Sequence, residues 1–432
     1  MKYAYVNGII LDGTKDMTPI NDKVILTENE KITKIADKGI DLEGYEVIDL
    51  EGKYIMPGLI NLHVHLPASG KPTMKESDNK KKVKLLTSLA ILRKAVIEVT
   101  ASNAKKELMS GVTTIRSVGG VRNYDSKVRD SINKGKRVGP RILAGNTGIS
   151  VPGGHMAGSL AYECHSPKEA KKLVRQIAKD KPDLLKLMIT GGVLDAKVKG
   201  EPGELKMTPE MIKAACDEAH KMGFMVAAHV ESPQGVKAAL ENGVDTIEHG
   251  AKPDKEIIDL FRKKKAKLVS TISPALPFAL FPREMTGVSE VAQFNGQIVF
   301  DGCVDCAKIC LENDIPVGLG TDVGCPYITH YDTWREVYNF AKYVEVSNSF
   351  ALYTATLRNA EIVGIDKITG SIKAGKEADM IVTKDNPLEN LEALRNVDMV
   401  ITRGKLIKDP KVKKMKKVEE ALDAFMKVPL KK

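Results

Sequence analysis

Eight times between residues 55 and 322 a short apolar run gives way to a stretch of helical periodicity. The runs fall at 55–66, 113–118, 141–145, 184–190, 225–230, 245–249, 267–272 and 317–322, and amphipathic segments such as 209–222, 233–242 and 254–265 fill the gaps. Strands covered on both faces read as unbroken apolar runs, and parallel strands need a long crossover between them, so the pattern predicts βαβ units and a parallel sheet. Eight repeats over about 300 residues predict an α/β chain folded as a (β/α)8 TIM-like barrel rather than an open sheet.

The two ends have a different texture. Residues 3–55 and 370–408 are short alternating segments punctuated by Gly, Asn and Asp, the pattern of hairpins. Neither end is long enough to bury a core alone, so they are expected to assemble one small β-sandwich from both chain ends. The expected organisation is 1–54 as the first part of the sandwich, 55–367 as the barrel, 368–410 as the second part and 411–432 as a basic C-terminal helix or tail. The formal charge of +10 is densest in that tail, in KVKKMKK and the final lysine pair. With aromatics at only 5%, there is no stacking platform for single strands, and no nucleic-acid partner is expected. No apolar stretch reaches the roughly 20 residues of a membrane helix, and the N-terminus lacks a signal-peptide pattern. Six unevenly spaced cysteines do not make a disulfide framework. A cytoplasmic location follows as the expectation.

Barrel enzymes carry their chemistry at the C-terminal ends of the strands. The first run ends in His63-Val64-His65, where alternate residues share a face and can grip one ion. The fifth ends at His229, the sixth at His249 and the eighth at Asp322, so four of the eight histidines sit at strand ends. Any one of them could be a structural histidine; together they point to metal. Lys186 stands inside the apolar fourth run, where a bare ammonium is costly. Carboxylation would turn it into a bidentate oxygen ligand able to bridge two metals, whereas a side chain directed outward would simply snorkel between helices. Cys303, Cys306 and Cys310 recur at i, i+3 and i+7, and read as one buried helix face rather than an iron-sulfur ligand set.

The segments PGLINLHVHL, GVTTIRSVGG, GPRILAGNTGISVPGGH, LLKLMITGGV, VAAHVES, GVDTIEHG, GLGTD and GSIKAGKEADMIV occur in that order from about residue 50 to residue 385. In these motifs the chain resembles the amidohydrolase superfamily, in the imidazolonepropionase-related branch that includes Xaa-Pro dipeptidases and lysine/arginine carboxypeptidase-like enzymes. The resemblance implies that His63, His65 and Asp322 bind the more buried of two divalent metal ions. His229 and His249 would bind the more exposed one, and N6-carboxylated Lys186 would bridge them. The ligand types suit zinc. It further implies hydrolysis of a C–N amide bond by a metal-bridging hydroxide, with Asp322 as the proton shuttle. A small-molecule or short-peptide substrate is expected: a dipeptide, a C-terminal amino acid or an N-acyl amino acid. A homo-oligomer is expected as well.

The branch places a substrate-contacting histidine where His155 stands, and His330 is a further candidate after the eighth strand. His220 and His165 read as structural. Two positions depart from the branch pattern. Ser117 occupies a position usually held by Asp, and Glu231 one usually held by an aromatic that helps to hold a substrate carboxylate. An acidic side chain there favours cationic or neutral groups, so Lys, Arg or amine-bearing substrates are expected over Xaa-Pro dipeptides. The competing readings are a cyclic amide or imide hydrolase or deaminase of the imidazolonepropionase type, for which a bridging Lys186 has no use, and a non-catalytic barrel scaffold, which has no reason to keep a full ligand set.

Overall fold

In a computed structural model that describes residues 1–72 and 78–427, the strand-helix alternation becomes an α/β fold built on two parallel sheets. One contains, in order, Leu59–Val64, Val112–Ser117 and Arg141–Ala144. The other runs Ala161–Glu163, Gly148–Ser150, Leu184–Met188, Met225–Val230, Thr246–His249, Lys267–Ser270, Val317–Leu319. Hydrogen bonds join the sheets at both seams. At one, the Asp322 N–H donates to the His63 carbonyl (2.9 Å) and the His65 N–H to the Val323 carbonyl (3.0 Å). At the other, the Asp183 N–H donates to the Ala144 carbonyl (2.8 Å).

Most of the parallel strands are followed by a helix, and the sequence marks several of those helix starts. Ser166, Thr208 and Ser232 accept hydrogen bonds from the backbone of the first turn, and a proline occupies the opening turn of each of the helices Pro167–Ala178, Pro209–Lys221 and Pro233–Glu241. In Pro209–Lys221 the buried residues Ile212, Ala215, Cys216 and Ala219 recur at helical spacing and face the sheet. Removing a cap such as Thr208 costs about 1 kcal/mol, whereas emptying a buried leucine site costs about 2 to 5 kcal/mol, so packing of these stripes outweighs the caps.

The run at 55–66 is two strands, not one. Tyr54–Pro57 pairs antiparallel with Met380–Thr383, and the chain then crosses at Gly58 into Leu59–Val64. A side chain at Gly58 would lie 2.2 Å from Thr113, so only glycine allows this passage. Gly148–Ser150 and Ala161–Glu163 are additional strands, hidden in a glycine-rich segment that reads as loop. The eighth strand stops at Leu319, short of Asp322.

Strands from both chain ends do associate. A five-stranded sheet orders Lys405–Lys408, Met399–Thr402, Met380–Thr383, Tyr54–Pro57 and Ile9–Ile10. A four-stranded sheet comprises Lys31–Asp37, Lys23–Glu28, Lys2–Val6 and Glu46–Asp49. Tyr5, Ile10, Ile25, Ile55, Met380, Val382 and Ile401 share one buried cluster. The basic C-terminal segment forms a helix, Lys416–Met426, whose Val418 packs against Phe281 and Tyr327. The final lysine pair lies outside the described residues. Cys303, Cys306 and Cys310 are buried along the helix Glu290–Glu312, and all six cysteines are unpaired. Among the described residues no helix is long and apolar enough to cross a membrane.

Candidate metal centre

Six of the residues singled out above, His63, His65, Lys186, His229, His249 and Asp322, are buried and gather at the C-terminal ends of the parallel strands. His63 and His65 leave the first strand on one face, their rings 5.3 Å apart. Gly320 lets the eighth strand pass beside them, since a Cβ there would lie 2.5 Å from the His63 backbone nitrogen. Asp322 then turns inward through a left-handed backbone (φ 52°), as does His249 (φ 67°).

The tautomers follow from the partners. His63 Nδ1 lies 2.8 Å from Glu248 Oε2, and His65 Nδ1 lies 2.9 Å from the Gly119 carbonyl. Both partners are acceptors, so each Nδ1 carries a proton, and in the tautomer this selects Nε2 is the nitrogen left with a lone pair. Those two nitrogens face Asp322 Oδ1 at 3.3 and 3.0 Å. Acceptors converging on an acceptor are repulsive unless a proton or a metal ion lies between them. Burial, with Lys186 nearby, holds His63 well below the usual imidazole range, which disfavours the proton.

His249 Nδ1 contacts Thr271 Oγ1 at 2.6 Å, while its buried Nε2 has no hydrogen-bond partner. Burial pushes this imidazole down to about 3 and also lowers His229. Lys186 Nζ is likewise buried without a hydrogen-bond partner, and burial lowers it to about 8 against the opposing pull of Glu248 and Asp322. Its side chain points into the site and does not snorkel outward. Ligand atoms of His63, His249 and Asp322 lie within 4.8 Å of one another, as do those of His229, Glu231 and His249. Bare imidazole nitrogens, an unpartnered carboxylate oxygen and an unpartnered amine around one space are a donor set that fits divalent metal.

Among the residues expected at the substrate, His155 stacks on His229 (centroids 4.1 Å apart, planes at 8°) and its Nδ1 lies 2.6 Å from Asp195 Oδ2. Glu231 turns its carboxylate toward His229 and His249. His330 differs from expectation. It is buried, with Nδ1 3.0 Å from Glu107 and Nε2 2.7 Å from the Ala68 carbonyl, so neither nitrogen is left for substrate. Ser117 donates to Asp125 Oδ2 at 2.5 Å, so a carboxylate missing from that strand is supplied by the following helix. Burial pushes the Asp125 carboxyl up to about 6. His220 bonds Asp245 at the surface.

Sequence reasoning missed the group that orients His63. Glu248, on the strand Thr246–His249, is fully buried and takes both carboxylate oxygens to Arg116 Nη2 at 2.7 Å. Charged residues within two buried strands, VTTIRS and TIEH, were the available signal.

A parallel α/β fold with histidines, a lysine and an aspartate converging at its strand ends is an arrangement suited to metal binding, as in hydrolases of the amidohydrolase type. The chain belongs to the Amidohydrolase family, whose model matches residues 54–407. It is 25% identical over 418 residues to ochratoxinase of Aspergillus niger, covering 87% of this chain and 82% of the relative. Among solved structures it superposes on a protein from Bifidobacterium longum provisionally assigned as a prolidase (34% identity, TM-score 0.87, 98% of each chain). It also superposes on a Xaa-Pro dipeptidase with methionine bound in its active site (29% identity, TM-score 0.83, 94% of this chain and all of that one). The protein is a hydrolase acting on C–N bonds.

Proposed function

We propose that this amidohydrolase uses two divalent metal ions, zinc by ligand type, to cleave the amide bond of a dipeptide, a C-terminal amino acid or an N-acyl amino acid. The observation that carries the reading is the convergence of the His63 and His65 lone pairs on Asp322 Oδ1, beside the unpartnered Lys186 Nζ and His249 Nε2. His63, His65 and Asp322 would hold one ion and His229 and His249 the other. Lys186 would join this ligand set as a carbamate, formed when its neutral amine adds to carbon dioxide and releases a proton. Bound metals supply a water nucleophile at neutral pH and polarise the scissile carbonyl.

The chain's own groups perform the remaining steps. Asp322 takes the proton from the attacking water and returns it to the leaving amine, so that one amide and one water become a carboxylic acid and an amine. His155, stacked over His229 and braced by Asp195, holds the substrate from the loop after the third strand. Glu248 and Arg116 keep the His63 ring in its donor tautomer. The Xaa-Pro dipeptidase relative supports a peptide amide as substrate.

The two parallel sheets, joined at both seams, are read as one closed (β/α)8 barrel. The sheets built from residues 1–54 and 368–410 are read as one β-sandwich around the shared Tyr5–Met380–Ile401 core. Six unpaired cysteines suit a reducing, cytoplasmic compartment.

Metal analysis together with a hydrolysis screen of dipeptides and N-acyl amino acids tests the proposal. Two ions per active chain are expected, and Lys186→Ala is expected to lose most activity and regain part of it with added short-chain acids. One ion per chain at full activity, or a fully active Lys186→Ala without added acid, overturns it.

A further inference from the structure

We infer that Glu231 is a protein ligand of the second metal position, completing a His229–Glu231–His249 set where the strand pattern supplies only two histidines. The inference rests on the two-metal reading above. His229 and Glu231 stand at i and i+2 across the C-terminal end of the strand Met225–Val230, so they leave it on one face, as His63 and His65 leave the first strand. The ligand atoms of His229, Glu231 and His249 lie within 4.8 Å of one another. Glu231 Oε2 is buried and has no hydrogen-bond partner, the condition it shares with His249 Nε2 and Asp322 Oδ1.

The backbone that carries this carboxylate is held from two sides. The Glu231 N–H donates to Thr190 Oγ1 at 3.1 Å. Gly203, in the loop after the fourth strand, packs so closely that a Cβ there would lie 2.5 Å from the Glu231 carbonyl carbon. A side chain on a fixed backbone, aimed between two imidazoles, is pre-organised for an ion. Its environment is also short of positive charge, because the charges acting on it most strongly are the carboxylates of Asp322 and Asp195. The Val193 backbone also bonds this carboxylate, yet facing two others is still costly for it, and a divalent cation at the His229–Glu231–His249 position would offset that cost. A substrate ammonium is the other cation that could fill this role, and it predicts a different outcome.

The test uses the full-length protein, stripped with a chelator and titrated with zinc alone against a chromogenic competitor, together with the visible spectrum of the cobalt-loaded form. Glu231→Gln is expected to bind the first ion as the unaltered protein does and the second at least tenfold more weakly, beyond the lower end of what loss of even an outer-shell partner costs. Glu231→Asp, which keeps the carboxylate on a shorter stem, is expected to fall between them, and the cobalt spectrum of the second site should change in both. Unchanged affinity for both ions in Glu231→Gln overturns the assignment while leaving the two-metal reading intact. If that result came with a raised KM for lysine- or arginine-bearing substrates, Glu231 would belong to substrate recognition instead. An unaltered protein that binds only one ion removes the two-metal reading and this ligand with it.

Discussion

Replacing Glu248 by glutamine keeps the shape of the side chain and removes the charge that balances Arg116. In the folded protein Oε2 accepts from His63 Nδ1 (2.8 Å) and Oε1 from Thr246 Oγ1 (2.7 Å), while Arg116 Nη2 reaches both oxygens at 2.7 Å. Glutamine turns one of those oxygens into an NH2 group. Whichever way the amide is flipped, that NH2 meets Arg116, and one orientation also sets it against the proton on His63. Arg116 is 1% exposed and becomes a buried cation without a counter-ion. Breaking a buried pair in this way costs about 3 to 5 kcal/mol. At roughly 2.1 cal/mol/K per residue, 432 residues give an unfolding entropy near 0.9 kcal/mol/K, so the melting temperature should fall by about 3 to 6 °C. Metal affinity should fall about 10- to 100-fold, because the His63 ring loses the acceptor that fixes its tautomer.

Calorimetry of the metal-free protein reads the first effect and competitive zinc titration the second. The double variant Arg116→Met with Glu248→Met separates them. Apolar side chains of similar size remove the unpaired charge and should recover most of the stability. They leave His63 without an acceptor, so the loss of affinity should persist. A Glu248→Gln protein that melts within about 1 °C of the unaltered chain and binds zinc as tightly would refute the argument, since the buried pair would then carry neither stability nor orientation.

Asp322→Asn should keep the fold and lose turnover by about 10² to 10⁴, read as kcat at saturating substrate; a loss under about tenfold would exclude it as the proton shuttle. Glu336 is buried, accepts from the Ile272 and Ser273 backbone N–H groups, and is pushed by burial from 4.5 up to about 7. A raised carboxyl value means that the folded chain keeps a proton that the unfolded chain releases, so this stability is greatest below about pH 4.5 and is lost as pH rises to 7; relative to Glu336→Gln, metal-free protein should lose about 3 kcal/mol across that window in denaturant titrations, and a flat difference would exclude it. A chain ending at residue 410 removes Phe425 from Phe281 (ring centroids 3.9 Å) and Glu419 and Asp423 from the buried Arg335. It should melt at lower temperature and scatter more light, whereas unchanged melting and scattering would show that the helix Lys416–Met426 adds nothing to stability.

How far the site was legible depended on whether a residue's neighbours lie along the chain or across it. His63, His65, His229 and His249 could be found because each sits at the end of an apolar run, and strand geometry fixes which residues share a face. Lys186 was legible for a related reason, as a charge that an apolar strand does not tolerate without a function. Glu248 and Arg116 are charges in strands that also carry other polar residues and were passed over, because their purpose appears only when residues 132 positions apart in sequence are brought within hydrogen-bond distance. The division of residues 55–66 between two sheets was hidden for the converse reason. Its apolar pattern is continuous, and the break is made by the absence of a single side chain at Gly58, against Thr113. His330 reversed from a substrate candidate to an internal tie because a loop histidine has no periodicity to betray its partners, Glu107 and the Ala68 carbonyl, more than 200 residues away. Glu231 lies between these cases: its position beside His229 was visible in the chain, but only the approach of His249 from the next strand turns an acidic side chain near a pocket into a third donor around one space. A cluster of this kind is therefore readable where strand periodicity sets direction, and unreadable where the decisive contact is made by a residue whose own strand gives no reason for it to be charged.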